Sequence, residues 1–283
     1  MLNTLKKKIS DKFLKNHSLV PNSPVDVREF SDNPRILNYM RPRKVLMNAK
    51  LKHGRCFNFF PLAPEVNPFI RALVESEAAD ETKKKLIIKQ TISEYYQNNQ
   101  PENVYDWYNL PPTDAPKLIN TPPWSAPMPW STGSISSEKN TVERWILQDN
   151  IESGMDLNID HGFTYYGPVS EKKLEVETNR LLSIYQSIKN KGYIRNDKYD
   201  GDIGGKIFIS SNGEWRWRVF RGQHRTIALA ALGYTEIPIM VKQIIYETEV
   251  DCWPNVLSGL YTSDGAKKLF KTVFNGSTDH LSI

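Results

Sequence analysis

The sequence predicts an α+β fold, and three observations carry that prediction. Apolar residues recur at helical intervals through residues 67–97, an Asn212-Gly213 turn separates two alternating runs, and a glycine-led turn at Gly222 joins a strand to a helix. The expected organisation is a mainly helical N-terminal region with a Pro/Trp-rich strap over residues 1–133. A small mixed sheet with flanking helices is expected over residues 134–283.

Each element follows from its own local pattern. Phe69, Ile70 and Leu73, then Leu86, Ile88, Ile92 and Tyr95, flank a polar stretch at 75–85 and predict two helices joined by a turn. Residues 101–133 hold eight of the 18 prolines together with Trp107, Trp124 and Trp130. Proline removes amide donors and fixes φ, so this segment is neither regular helix nor central strand. A free linker has no use for three large apolar rings, which predicts a strap wrapped over a domain surface; stacking of sugars or bases is the alternative use. From Ser134 onward the order is helix, strand, hairpin, strand, helix, strand. Ser170 caps a helix lined by Leu174, Leu181, Tyr185 and Ile188 that ends at Lys191, before Gly192. Runs at 206–210 and 215–220 alternate around Asn212-Gly213, with Trp215, Trp217 and Val219 on one face and Arg216, Arg218 and Phe220 on the other. A helix over 225–232 stops at Gly233, a short buried strand follows at 237–241, and Asp264 caps a last helix carrying Ala266, Leu269, Phe270 and Val273.

Composition excludes several classes. A chain of 283 residues with 39% hydrophobic and 24% charged residues builds its core without metals or disulfides. Cys56 and Cys252 stand far apart with no CxxC or histidine spacing, so neither a zinc site nor a disulfide framework is expected, and a reducing cytoplasm is the simplest setting. No apolar run reaches the roughly 18 residues that a membrane span needs, and no cleavable leader is evident. The formal charge of +5 sits mostly in the first 17 residues, where Lys6, Lys7, Lys8, Lys12 and Lys15 face only Asp11. Leu5, Ile9 and Phe13 would line one side of a basic helix there, suited either to peripheral contact with an anionic membrane or to packing on its own domain. The rest of the chain is close to neutral, which argues against DNA as a partner.

The candidate chemistry lies in Arg221-Gly222-Gln223-His224-Arg225-Thr226. Glycine lets backbone approach a ligand closely, helix amides and the helix dipole favour an anion, and Arg225 can fork onto phosphate oxygens. His224 adds a donor or a proton-transfer group. The competing reading is a turn glycine with Arg225 paired to a carboxylate. Asp200 and Asp202, in a glycine-rich loop with Gly201, Gly204 and Gly205, form either a plain turn or carboxylates that help hold Mg²⁺. His161 is a further residue able to approach such a site.

Taken together, Ser187-Ile188, Gly192-Tyr193, residues 206–209, Gly222 to Arg225, Ala228, Leu232-Gly233 and Ile237-Pro238 resemble the core of the ParB and sulfiredoxin-like superfamily. The resemblance covers residues 160–245. It implies a C-terminal ParB/sulfiredoxin-like domain in which Gly222, Gln223, His224, Arg225 and Thr226 bind nucleotide phosphates. Sulfiredoxins carry a catalytic cysteine where this chain has Gln223, so sulfinic acid reduction is not expected. Partition proteins continue into a DNA-reading and dimerisation region, whereas 42 residues follow Val241 here. His224-Arg225 is closer to the turn of the superfamily's free-serine kinases, whose acidic base follows a proline near the start of the preceding helix. Pro168-Val169-Ser170-Glu171 occupies that place, making Glu171 the candidate base beside His224; a first-turn glutamate also has a purely structural use at a helix N-terminus. Glu175, Glu177 and Arg180 read as surface charge pairing.

The resemblance therefore implies a nucleotide-dependent phosphotransferase using a nucleoside triphosphate or diphosphate, ATP or ADP, with Mg²⁺. The acceptor would be a hydroxylated small molecule or glycan. The resemblance also implies a place among bacterial surface-polysaccharide functions, where the basic leader would hold a cytoplasmic enzyme near lipid-linked substrates. A nucleotide-sensing switch module that binds or hydrolyses NTP is the alternative, and a DNA-binding partition protein the less favoured one.

Overall fold

The computed structural model describes residues 24–40, 44–195 and 201–276. In chain order they form β1 (Val25–Asp26), β2 (Val45–Lys50), β3 (Gly54–Arg55), α1 (Pro68–Ser76) and α2 (Glu81–Asn98). There follow α3 (Ile135–Ile151), α4 (Glu171–Lys191), β4 (Gly204–Ile209), β5 (Trp215–Arg221), α5 (Gln223–Ala231), β6 (Glu236–Tyr246) and α6 (Ser263–Asn275), with short helical turns between.

One mixed sheet of six strands organises the chain, in the order β1-β2-β6-β4-β5-β3. Its centre is the pair β4 and β6, which run parallel, with β5 antiparallel to β4 and β2 antiparallel to β6. Alternation along β4 sends Ile207 to one face and Phe208 to the other, and each face closes its own core. On the first face α1, α2, α4 and α5 pack over Trp217, Val219, Ile239 and Val241. On the second, α3, α6 and the proline-rich strap pack over Phe208 and Ile245.

The mixed α/β architecture agrees with the sequence reading, and so do several elements. Helices α1 and α2 are separated by residues 77–80, Ser170 accepts a hydrogen bond from Lys173 N at the head of α4, and Gly192 ends that helix at φ 73°. Trp107 and Trp130 are buried in the second core, so the strap is packed. Other details differ. The region before residue 133 supplies β1, β2 and β3, so the sheet takes strands from both sides of that position. Strand β6 runs to Tyr246 because it lies between β2 and β4 and pairs along most of its length. Thr262, not Asp264, caps α6, its hydroxyl accepting from Gly265 N, while Asp264 stands in the first turn. The basic leader lies outside the described residues, and among the described residues no helix is long and apolar enough to cross a membrane.

Candidate functional site

The Gly222 turn opens on a cavity of about 670 Å³, a volume in the range of small-molecule sites. Strand β5 ends at Arg221 and α5 starts at Gln223, so Gly222 must reverse the chain within one residue. It does so at φ 81°, and a Cβ there would lie 3.0 Å from Arg225 Nη2 and 3.1 Å from Ile203 Cγ1. No side chain caps the N-terminus of α5, the end of a helix that favours an anion. Arg221, Arg225 and Lys191 line the cavity around this turn.

The predicted cradle divides on inspection. Gly222, His224 and Arg225 line the cavity, and Arg225 Nη1 also donates to Gly201 O at 2.9 Å, tying the turn to the loop before β4. Gln223 reaches it too, but its Oε1 accepts from Phe57 N at 3.1 Å and clips the turn to the loop after β3. The Thr226 hydroxyl donates to Gly222 O at 3.0 Å and is fully buried, so it is a helix-start contact and not a ligand group.

His224 is held by a carboxylate that the sequence reading had placed on the surface. Its Nε2 lies 2.9 Å from Glu177 Oε2, and Glu177 is 2% exposed. Lys173, itself completely buried, donates to Glu177 Oε1 at 2.7 Å and to Asn150 Oδ1 at 2.7 Å. Arg180 Nη1 stands 3.2 Å from Glu177 Oε1 and 2.5 Å from Asp149 Oδ2. Burial alone would raise the Glu177 carboxyl, but Lys173, His224 and Arg180 together hold it well below the ordinary glutamate range. An ionised carboxylate only accepts, so His224 Nε2 carries a hydrogen and Nδ1 is the proton-accepting nitrogen of the neutral ring.

Glu171 is not part of this arrangement. It is an exposed first-turn residue ion-paired with Lys89 on α2, outside the cavity lining, and Glu175 pairs with Lys85 in the same way. The α4 residue that meets His224 is instead Glu177, six residues and about a turn and a half further along the helix. Asp202 is buried, and both its oxygens accept from Arg195, at 2.5 Å from Nε and 3.1 Å from Nη2. Its charge is therefore already matched, while Asp200 lies outside the described residues. Among the described residues no group of three or more His, Cys, Asp or Glu side chains is placed to hold a metal. His161 Nδ1 lies 3.0 Å from Ser170 Oγ at the head of α4, away from the cavity.

An aromatic wall completes the site. The rings of Phe57 and Tyr165 lie 4.3 Å apart at 15°, and Trp145 lies 6.0 Å from Tyr165 at 12°. The Arg218 guanidinium sits 4.4 Å from the Phe57 ring centroid and donates to Phe57 O, fixing this wall from the sheet. Sequence reasoning missed Lys173, Asp149 and Trp145. A signal for the buried cluster was present: Glu177 falls on the same stripe of α4 as Leu174 and Leu181, and a charge on an apolar stripe is a buried charge. Compared with family models, with curated proteins and with solved structures, the chain has no match.

Proposed function

We propose that this chain is a nucleotide-dependent phosphotransferase that acts on a hydroxyl group. The observation carrying the proposal is the His224–Glu177 pair, buried on the Glu177 side and set in the first turn of a helix whose N-terminus opens on the cavity. The sequence resemblance to the nucleotide-binding superfamily supports the same reading, as do Arg221, Arg225 and Lys191 around that turn. In the reaction the nucleotide phosphates lie against the α5 amides and these cations, which neutralise charge developing on the transferred group. The acceptor hydroxyl gives its proton to His224 Nδ1 as its oxygen bonds the terminal phosphorus. The bond from that phosphorus to the bridging oxygen breaks, and its electron pair leaves on the nucleoside diphosphate. Glu177 keeps His224 in the accepting tautomer and stabilises the imidazolium that forms, a role well suited to a carboxylate that stays ionised.

Thermal unfolding of the full chain against ATP, ADP, CTP and GTP, each with and without Mg²⁺, tests the proposal. Ligand at about 100 times its dissociation constant adds roughly 2.7 kcal/mol to stability, so one nucleotide is expected to raise the midpoint clearly. The rise should shrink in Arg221→Ala, a residue exposed beside the turn. No rise with any nucleotide sinks the proposal. A rise without acceptor-stimulated turnover would favour the nucleotide-switch alternative.

A further inference from the structure

The two flanks of the cavity differ in charge. Lys191, Arg221 and Arg225 stand on the side of α4's C-terminus and the Gly222 turn. On the other side α3 presents Trp145, Gln148, Asp149 and Glu152, at i, i+3, i+4 and i+7, as one helical face. Trp145 is 36% exposed although its indole lies nearly parallel to the buried Tyr165 ring. Glu152 is exposed, accepts from Gln148 Nε2 at 3.1 Å and has no basic partner among the described residues. Arg180, the one cation on this side among the described residues, is already shared between Asp149 and Glu177.

This arrangement sorts ligands. A phosphate chain is attracted to one flank and repelled by the other, which fixes its direction in the cavity. The acidic flank adjoins the proton acceptor through continuous contacts, Asp149 to Arg180 to Glu177 to His224. His224 sits between Arg221 and Arg225 and is tied to α3 through this chain, so an acceptor between α3 and the phosphates shares one cavity with it. An accessible indole on the same helical face as Glu152, a carboxylate with no basic partner among the described residues, favours an ammonium group, by attraction to the ring or by a charge-assisted hydrogen bond. The same carboxylates disfavour an acceptor bearing its own carboxylate or phosphate.

Resting on the phosphotransferase reading, we propose that the α3 face formed by Trp145, Asp149 and Glu152 is the acceptor subsite, and that the acceptor carries an ammonium group beside its hydroxyls and no anionic group. Amino sugars and amino alcohols are the chemical class. Calorimetric titration of the nucleotide-free full chain, at mildly acidic pH where amines are charged, tests this with D-glucosamine and ethanolamine, their neutral counterparts D-glucose and ethylene glycol, and zwitterionic L-serine. At least one amine is expected to bind on the order of tenfold more tightly than its neutral counterpart and than serine. That preference is expected to fall about tenfold in Trp145→Ala and in Glu152→Gln; Glu152 is exposed, so its variant keeps the test intact where loss of the Trp145 contacts with Tyr165 and Phe163 costs stability. Neutral counterparts binding as well as the amines, no amine binding at millimolar concentration, or an undiminished preference in both variants would overturn the proposal. Because the titration contains no nucleotide, its failure is separable from failure of the phosphotransferase reading: a retained ATP shift without amine binding removes only the acceptor class, and amine binding without any nucleotide shift removes only the transfer reaction.

Discussion

Two glutamates on α4, six residues apart, meet opposite fates. Glu171 lies in the exposed first turn and pairs with Lys89 across a solvated groove between helices. Glu177 faces inward, with Lys173, Arg180 and His224 around it. The first pair is screened by water and held by two flexible side chains, so its formation contributes little. The second is desolvated and geometrically fixed, so loss of one member leaves an unmatched charge where solvent cannot compensate. Position on the helix, rather than residue type, decides which carboxylate is buried among charged partners and which is solvated.

The largest test of this contrast is Glu177→Ala. Lys173 would be left buried with only Asn150 as a partner, and the expected loss is about 3–5 kcal/mol by chemical denaturation. A double substitution, Lys173→Met with Glu177→Leu, removes both charges together. It should recover much of that stability while remaining inactive, which separates the cluster's structural role from its part in proton transfer. Equal stability of Glu177→Ala and the wild type would mean that the cluster is far more hydrated than its burial indicates.

Next in size is His224→Ala, for which nucleotide-dependent transfer should fall by about 10²- to 10⁴-fold, the usual contribution of a general base. The nucleotide-induced thermal shift should persist, because the α5 amides, Arg221 and Arg225 remain. Loss of that shift together with turnover would make His224 a binding group and not a proton acceptor.

The same contrast explains how much was legible in the sequence. Helices α1, α2 and α4, the hairpin at Asn212-Gly213 and the Gly222 turn are local patterns, and each was readable because its cause lies within a few residues. Strands β2 and β3 were not readable, since Val45–Lys50 acquires its meaning from β6, nearly 200 residues later. The site divides the same way. Gly222, His224 and Arg225 were found because strand, turn and helix are contiguous, whereas Asp149 and Trp145 enter through packing of α3 against α4. Glu177 is the instructive miss. Its place on the apolar stripe marked it as buried, but its spacing to Arg180 suggested an ordinary surface pair.

A smaller effect is expected from acid. The folded-state pKa of Glu177 is depressed, so its contribution to stability is fully present above the ordinary glutamate range of about 4.3 and is lost as pH falls below it toward the folded value. Wild-type stability should therefore decline on acidification below about pH 4.5, and Glu177→Gln, which cannot titrate, should decline less steeply over the same interval. Parallel acid limbs for the two proteins would place the carboxyl's ionisation under other control.

The smallest expected effect is the most discriminating, because it concerns the residue that the family resemblance favoured. Glu171→Ala removes an exposed partner of Lys89, whose ammonium retains Glu175 at 3.4 Å. The melting temperature should stay within about 2 °C of wild type, as expected for a solvated pair in a chain of this size. Turnover should be unchanged as well, since Glu171 lies outside the cavity lining and at the far end of α4 from Lys191. If Glu171→Ala abolished transfer while Glu177→Gln and His224→Ala did not, α4 would have to turn its first residues toward the Gly222 loop during the reaction. The buried cluster would then be a structural support, and proton transfer would belong to a helix end that the present arrangement leaves in solvent.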